Sequence, residues 1–160
     1  RLMVRPLQFV LLGSGDARDG DYFRAAAARY PSRVAARIGF DERLAHQIEA
    51  GADLFLMPSL YEPCGLNQMF SLKYGTIPIV RAVGGLKDSV ENYDGASAAG
   101  TGFVFDKYDS LAMLDAIDRG LSAYRDKSTW SALQSRAMAM DFSWDRSALA
   151  YSDLYRQLVN

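Results

Sequence analysis

Asp53-Leu54-Phe55-Leu56-Met57-Pro58-Ser59-Leu60-Tyr61-Glu62-Pro63-Cys64-Gly65-Leu66-Asn67-Gln68 carries the reading of the fold. Asp53 to Met57 is a short apolar run that reads as a buried strand, and Pro58 stops it. Ser59 to Cys64 reads as a loop. A helix starting near Gly65 and ending at Gly75 follows, where glycine suits the left-handed residue after a helix. Ile77 to Val80 is then a second apolar strand. Strand, helix and strand with fully apolar strands are the signature of a parallel sheet buried on both faces.

The same rhythm extends both ways. Towards the start, Leu7 to Leu12 reads as a strand ended by Gly13-Ser14-Gly15-Asp16, with an alanine-rich helix from about Asp21 to Tyr30. Val34 to Ile38 is a strand, and Asp41 is placed to cap the next helix. Towards the end, Gly84-Gly85 breaks the pattern before a short helix around Asp88, and Phe103 to Phe105 is a last short strand. The chain is helical thereafter. One helix carries Leu114, Ile117, Leu121 and Tyr124. A second is capped by Ser128 and ends near Met140. A third is capped by Asp145, with Tyr151, Leu154, Tyr155 and Leu158 as its buried stripe. Trp130 and Trp144 read as core. The expected fold is α/β, a doubly wound, Rossmann-like parallel sheet with C-terminal helices, in a single domain over residues 1–160.

Composition narrows the function. The 160 residues are 49% hydrophobic, enough for one substantial core. Lysine and arginine total 18 against 19 acids, for a net charge of -1, so no broad nucleic-acid surface is indicated. Cys64 is the only cysteine, which excludes an internal disulfide and fits a reducing compartment, usually the cytoplasm. His46 is the only histidine, and no metal-ligand spacing is present. It reads as a structural hydrogen-bonder. The apolar stretches are too short to span a bilayer. The opening at Arg1, without methionine and almost at once into a strand, reads as a fragment of something longer.

In a doubly wound sheet, ligands bind outside the carboxyl ends of the strands. Those ends here are the Gly13 turn, Gly39-Phe40, the Ser59–Gly65 loop and the Arg81–Gly85 loop. Gly13-Ser14-Gly15 lacks the third glycine of a dinucleotide fingerprint, since position 18 is Arg18, and it lacks the P-loop lysine. A plain tight turn accounts for it. The Ser59–Gly65 loop offers more. The N–H groups of Gly65, Leu66 and Asn67 at a helix start form a small anion or hydroxyl site. Glu62 beside them either caps the helix or faces a ligand hydroxyl or developing positive charge. Arg81 either reaches towards a ligand or lies on the surface, and Gly84-Gly85 reads as turn geometry first. A catalytic thiolate at Cys64 has no histidine or acid pairing to support it.

Ser59-Leu60-Tyr61-Glu62-Pro63-Cys64-Gly65-Leu66-Asn67-Gln68 closely resembles the donor-site segment of bacterial glycogen synthases and plant starch synthases, which are retaining GT-B glycosyltransferases. Lys73-Tyr74-Gly75-Thr76-Ile77-Pro78-Ile79-Val80-Arg81 and Gly84-Gly85-Leu86-Lys87-Asp88 continue the likeness in register. So do Gly39-Phe40, Gly51-Ala52-Asp53, Gly100-Thr101-Gly102-Phe103 and Phe142-Ser143-Trp144. The resemblance covers nearly the whole chain and implies most of the nucleotide-sugar-binding C-terminal domain of such an enzyme. Its reaction moves glucose from ADP-glucose to the non-reducing end of an α-1,4-glucan with retention.

The resemblance also implies roles. Glu62 is the acid that contacts the transferred glucose and stabilises its oxocarbenium-like state. Backbone groups of Cys64, Gly65 and Leu66 hold sugar hydroxyls, the amides of Asn67 and Gln68 lie near the diphosphate, and Phe40 stacks on the adenine. Many retaining transferases carry a second glutamate eight positions after the first; here that position is Phe70, and glycogen and starch synthases tend to have an aromatic residue there. The partners implied are ADP-glucose or ADP, and a glucan bound through an N-terminal acceptor domain absent from this chain. No metal and no cofactor is implied. The family's phosphate-clamping arginine and lysine belong to a strand–helix unit that would precede Arg1, so the chain alone is expected to be inactive. The location implied is the cytoplasm, or the plastid in a plant. Two rivals stand beside this reading: a related transferase using a UDP- or GDP-sugar, and a non-catalytic nucleotide-binding module.

Overall fold

A computed structural model describes residues 1–159, which form two compact units, one of residues 1–52 and one from Asp53 onward. In the first unit, strand β1 (Phe9–Gly13) leads through helix α1 (Ala17–Arg29) to strand β2 (Val34–Ile38) and helix α2 (Glu42–Gly51). The strands pair in parallel, Phe9 opposite Val34 and Gly13 opposite Ile38. Helix α1 begins a turn earlier than the sequence suggests, because the Asp16 side chain accepts the Arg18 N–H and starts it at Ala17. Asp41 caps α2 as expected, accepting from Leu44 N at 2.9 Å. The Arg33 guanidinium donates to the carbonyls of Met3, Arg5 and Leu7 and so ties the first residues to the start of β2.

The second unit begins with strand β3 (Leu54–Met57), helix α3 (Asn67–Tyr74) and strand β4 (Ile77–Arg81). Helix α4 (Gly84–Ser89) and strand β5 (Phe103–Phe105) follow, then helices α5 (Ser110–Arg125), α6 (Lys127–Met138) and α7 (Trp144–Leu158). Strand β4 is central and parallel to both neighbours, with Leu54 opposite Ile77 and Ile79 opposite Phe103. Ile77, Pro78, Ile79 and Val80 are all buried, as a strand covered on both faces requires. Leu72, Leu86, Phe103, Ile117, Trp130 and Leu133 complete the core. Each such side chain removed from water contributes about 1.5–3 kcal/mol.

The parallel α/β class expected from sequence is what the chain adopts, with β1 paired to β2 in the first unit and β3, β4 and β5 paired in that order in the second. An apolar run specifies that a strand is buried; it does not specify which neighbour takes its hydrogen bonds. Two helix starts differ. Helix α6 is capped by Asp126, which accepts from the N–H groups of Ser128 and Thr129, while the Ser128 hydroxyl itself donates to Asp126 at 2.7 Å. Helix α7 is capped by Ser143, and Asp145 falls in its first turn.

The larger correction concerns α7. Its stripe of Tyr151, Leu154, Tyr155 and Leu158 is exposed, not buried, and Trp144 is 85% exposed whereas Trp130 is in the core. Amphipathic spacing defines a face but supplies no surface to cover it.

Candidate functional site

The Ser59–Gly65 loop leaves the carboxyl end of β3 and is held in place by its carbonyls. The Ser59 and Leu60 carbonyls accept from Arg81 Nη1 at 3.1 and 2.9 Å. The Pro63 carbonyl accepts from Gly85 N at 3.2 Å. The Cys64 and Gly65 carbonyls accept from Gln68 Nε2 at 3.3 and 3.0 Å. With the carbonyls engaged, the N–H groups of Gly65, Leu66, Asn67 and Gln68 are left without acceptors among the described residues. They cluster at the start of α3, where Leu66 provides no side-chain cap. The exposed pair at the positive end of the helix, Leu66 and Asn67, offers a small oxyanion-binding surface, while Gly65 and Gln68 are buried.

Glu62 lies in the middle of this loop and is half-buried. Its carboxylate makes no hydrogen bond or ion pair among the described residues, and in particular it does not cap α3. Of the two readings left open by the sequence, the capping one is therefore removed. Tyr61, Cys64 and Leu66 are exposed around it.

Gly65 sits at φ +69°, a left-handed conformation, with Gln68 packed against it. The glycine pair at the start of α4 serves the loop as well. A Cβ on Gly84 would lie 1.9 Å from the Glu62 carbonyl oxygen, so only the bare backbone lets α4 approach this closely. The sequence assigned these glycines to turn geometry; close packing against the Glu62–Cys64 backbone is their larger demand.

Two side chains lie elsewhere than a ligand would need. Gln68 is fully buried, its Nε2 bound to the loop and to Ser89 Oγ at 3.0 Å. Arg81 does not point to a free face: besides the two loop carbonyls it donates to the Asp106 carbonyl at 3.2 Å and lies 5.4 Å from the Tyr108 ring centroid. Sequence reasoning missed both tethers and Ser89. A glutamine in a helix and an arginine at a strand end carry no mark of whether they face a ligand or a carbonyl.

In the first unit, Phe40 follows Gly39 at the end of β2 and is 89% exposed, an open aromatic face directly before the capped start of α2. The Gly13 turn is open, with no atom near where side chains at Gly13 or Gly15 would begin. His46 Nδ1 lies 4.0 Å from Glu49 Oε2 on α2. Burial pushes the Glu49 carboxyl above its usual range, with His46 partly opposing. Among the described residues, no group of three or more histidine, cysteine, aspartate or glutamate side chains could hold a metal ion, and no helix is long and apolar enough to cross a membrane.

Comparison with known proteins adds to this geometry. The chain is 63% identical over 158 residues to the glycogen synthase of Anaeromyxobacter sp. (strain Fw109-5), covering 99% of this chain and 33% of that protein. It is 54% identical over 159 residues to that of Thermotoga petrophila, with the same coverage. It thus spans about a third of the length of the curated relatives it matches. Among solved structures, it superimposes with a TM-score of 0.81 and 38% identity on the catalytic domain of starch synthase IV from Arabidopsis thaliana bound to ADP and acarbose, covering 94% of this chain and 32% of that one. Sucrose-phosphate synthase from Thermosynechococcus elongatus aligns at 28% identity and a TM-score of 0.63, covering 95% of this chain and 38% of that one. Residues 2–132 match the family described as glycosyl transferases group 1, and the chain belongs to that family.

Proposed function

We propose that this chain is the donor-binding part of a retaining glucosyltransferase that transfers glucose from ADP-glucose to the non-reducing end of an α-1,4-glucan. One observation carries the reading: the loop that leads into α3 holds a carboxylate without a protein partner, Glu62, and runs directly into N–H groups without acceptors at the start of that helix. The names of the relatives, glycogen synthases at 54% and 63% identity, and the ADP-bound starch synthase of similar fold support the substrate class.

The arrangement suits the reaction. Transfer breaks the bond from glucose C1 to the diphosphate and forms one from C1 to an acceptor hydroxyl, releasing ADP and the hydroxyl proton. The departing diphosphate gains negative charge, and donors already aimed by the fold stabilise it without reorganising. The sugar gains positive character, which the negative charge of the Glu62 carboxylate stabilises. Phe40 offers a π-face to the adenine. We assign the reaction to the cytoplasm, or to the plastid in a plant, in keeping with a single unpaired cysteine. By itself the chain is inactive and binds ADP weakly.

A chimera tests the reading: this chain replaces the matching 158 residues of the Anaeromyxobacter glycogen synthase. It is expected to extend a glucan from ADP-glucose in preference to UDP-glucose, and Glu62→Gln is expected to reduce kcat by about 10²–10³. Preference for UDP-glucose rejects the donor assignment, and full activity of the Glu62 variant rejects its role.

A further inference from the structure

We propose that Arg81 and Gln68 are positioning residues that hold the Ser59–Gly65 loop at its two ends and thereby set where Glu62 and the α3 N–H groups meet the donor; this rests on the donor-site reading above. Arg81 takes the near end, through the Ser59 and Leu60 carbonyls, and is itself fixed by the Asp106 carbonyl and the Tyr108 ring. Gln68 takes the far end, through the Cys64 and Gly65 carbonyls. Glu62 sits between the two tethers without one of its own.

The Gln68 network has a direction. Ser89 Oγ donates its single proton to the Gly85 carbonyl at 2.5 Å, so it can only accept from Gln68. The group facing Ser89 and two carbonyls must therefore be the amide nitrogen, which shares its two hydrogens among three acceptors. Gln68 Oε1 is left buried without a hydrogen-bond partner beside Gly65. An isosteric glutamate would turn a carboxylate oxygen onto the carbonyls, and methionine would fill the space with no donor. Lysine at position 81 lacks the planar fork that reaches the loop and Asp106 together. A loop freed at either end leaves every contact residue present but mispositioned, and an error of about 1 Å in such a site costs roughly 10²-fold in rate.

The test has two arms. The first measures backbone 15N order parameters of this chain with Gln68→Met and with Arg81→Lys, two variants so that one poorly folded protein does not decide the matter. Values for the loop, Tyr61 to Leu66, are expected to fall from about 0.85 towards 0.6, with β4 and α5 unchanged. An unchanged loop, or a fall spread evenly over the second unit, overturns the proposal. The second arm measures transfer by the chimera. kcat is expected to fall about 10²-fold while KM for ADP-glucose changes less than about threefold, the pattern of an interaction expressed in the transition state. A rise in KM at constant kcat overturns the positioning role. If the unmodified chimera transfers no glucose, the donor-site reading fails, and the first arm still reports whether the two tethers hold the loop.

Discussion

The Cα of Gly85 faces the carbonyl of Cys64 so closely that a Cβ placed there would lie 1.8 Å from the oxygen. The neighbouring atom is backbone, held in turn by Gln68, so it cannot yield as a side-chain tip would. Gly85→Ala must therefore push α4 and the loop apart. Overpacking of this kind costs about 1–3 kcal/mol or more. Urea unfolding is expected to show that loss, and the chimera carrying the variant is expected to lose transfer activity with it.

Phe40→Ala separates binding from stability. The ring is 89% exposed, so the unfolding free energy from urea titration is expected to stay within about 0.5 kcal/mol of the parent. Stacking of a base on an aromatic ring is worth about 1–3 kcal/mol. Calorimetric titration with ADP is therefore expected to weaken roughly 5- to 150-fold. Equal binding by both proteins removes Phe40 from the site.

Two large side chains at opposite extremes of burial test the core. Leu133 is fully buried on α6, and Leu133→Ala is expected to cost about 2–5 kcal/mol. Trp144 is 85% exposed at the start of α7, and Trp144→Ala is expected to change the stability of this chain by no more than about 0.5 kcal/mol. A large loss in the tryptophan variant would mean that α7 is covered in solution.

Burial raises the Glu49 carboxyl above its ordinary value of 4.5, with His46 opposing. A raised folded-state value stabilises fully below the unfolded value and loses that contribution as pH rises through the folded one. Glu49→Gln removes the cost of ionising a buried acid. The variant is expected to gain on the parent in urea midpoint as pH rises from 4 to 7, and to show no gain at the acid end.

Asp126 behaves in the opposite sense. The Ser128 hydroxyl, and then the Thr129 N–H, hold its carboxyl below the ordinary value of 3.8. Its cap is therefore at full strength above that value and fades as pH falls through the lowered one. Asp126→Ala is expected to lower the thermal midpoint at neutral pH, with the deficit shrinking as the solution is made more acidic than the ordinary aspartate range.

The sequence by itself determined the parallel α/β class, most element positions and the central loop, because these follow from apolar runs, from Pro58 and from glycines at Gly65 and Gly75, all local in the chain. It also named Glu62 as a candidate but could not separate a cap from an open carboxylate; the absence of any side-chain cap on α3 did that. The direction of Arg81, the burial of Gln68 and the exposure of the α7 stripe were decided only in three dimensions. Each depends on which distant group meets a side chain, and residue type and spacing carry no record of that partner.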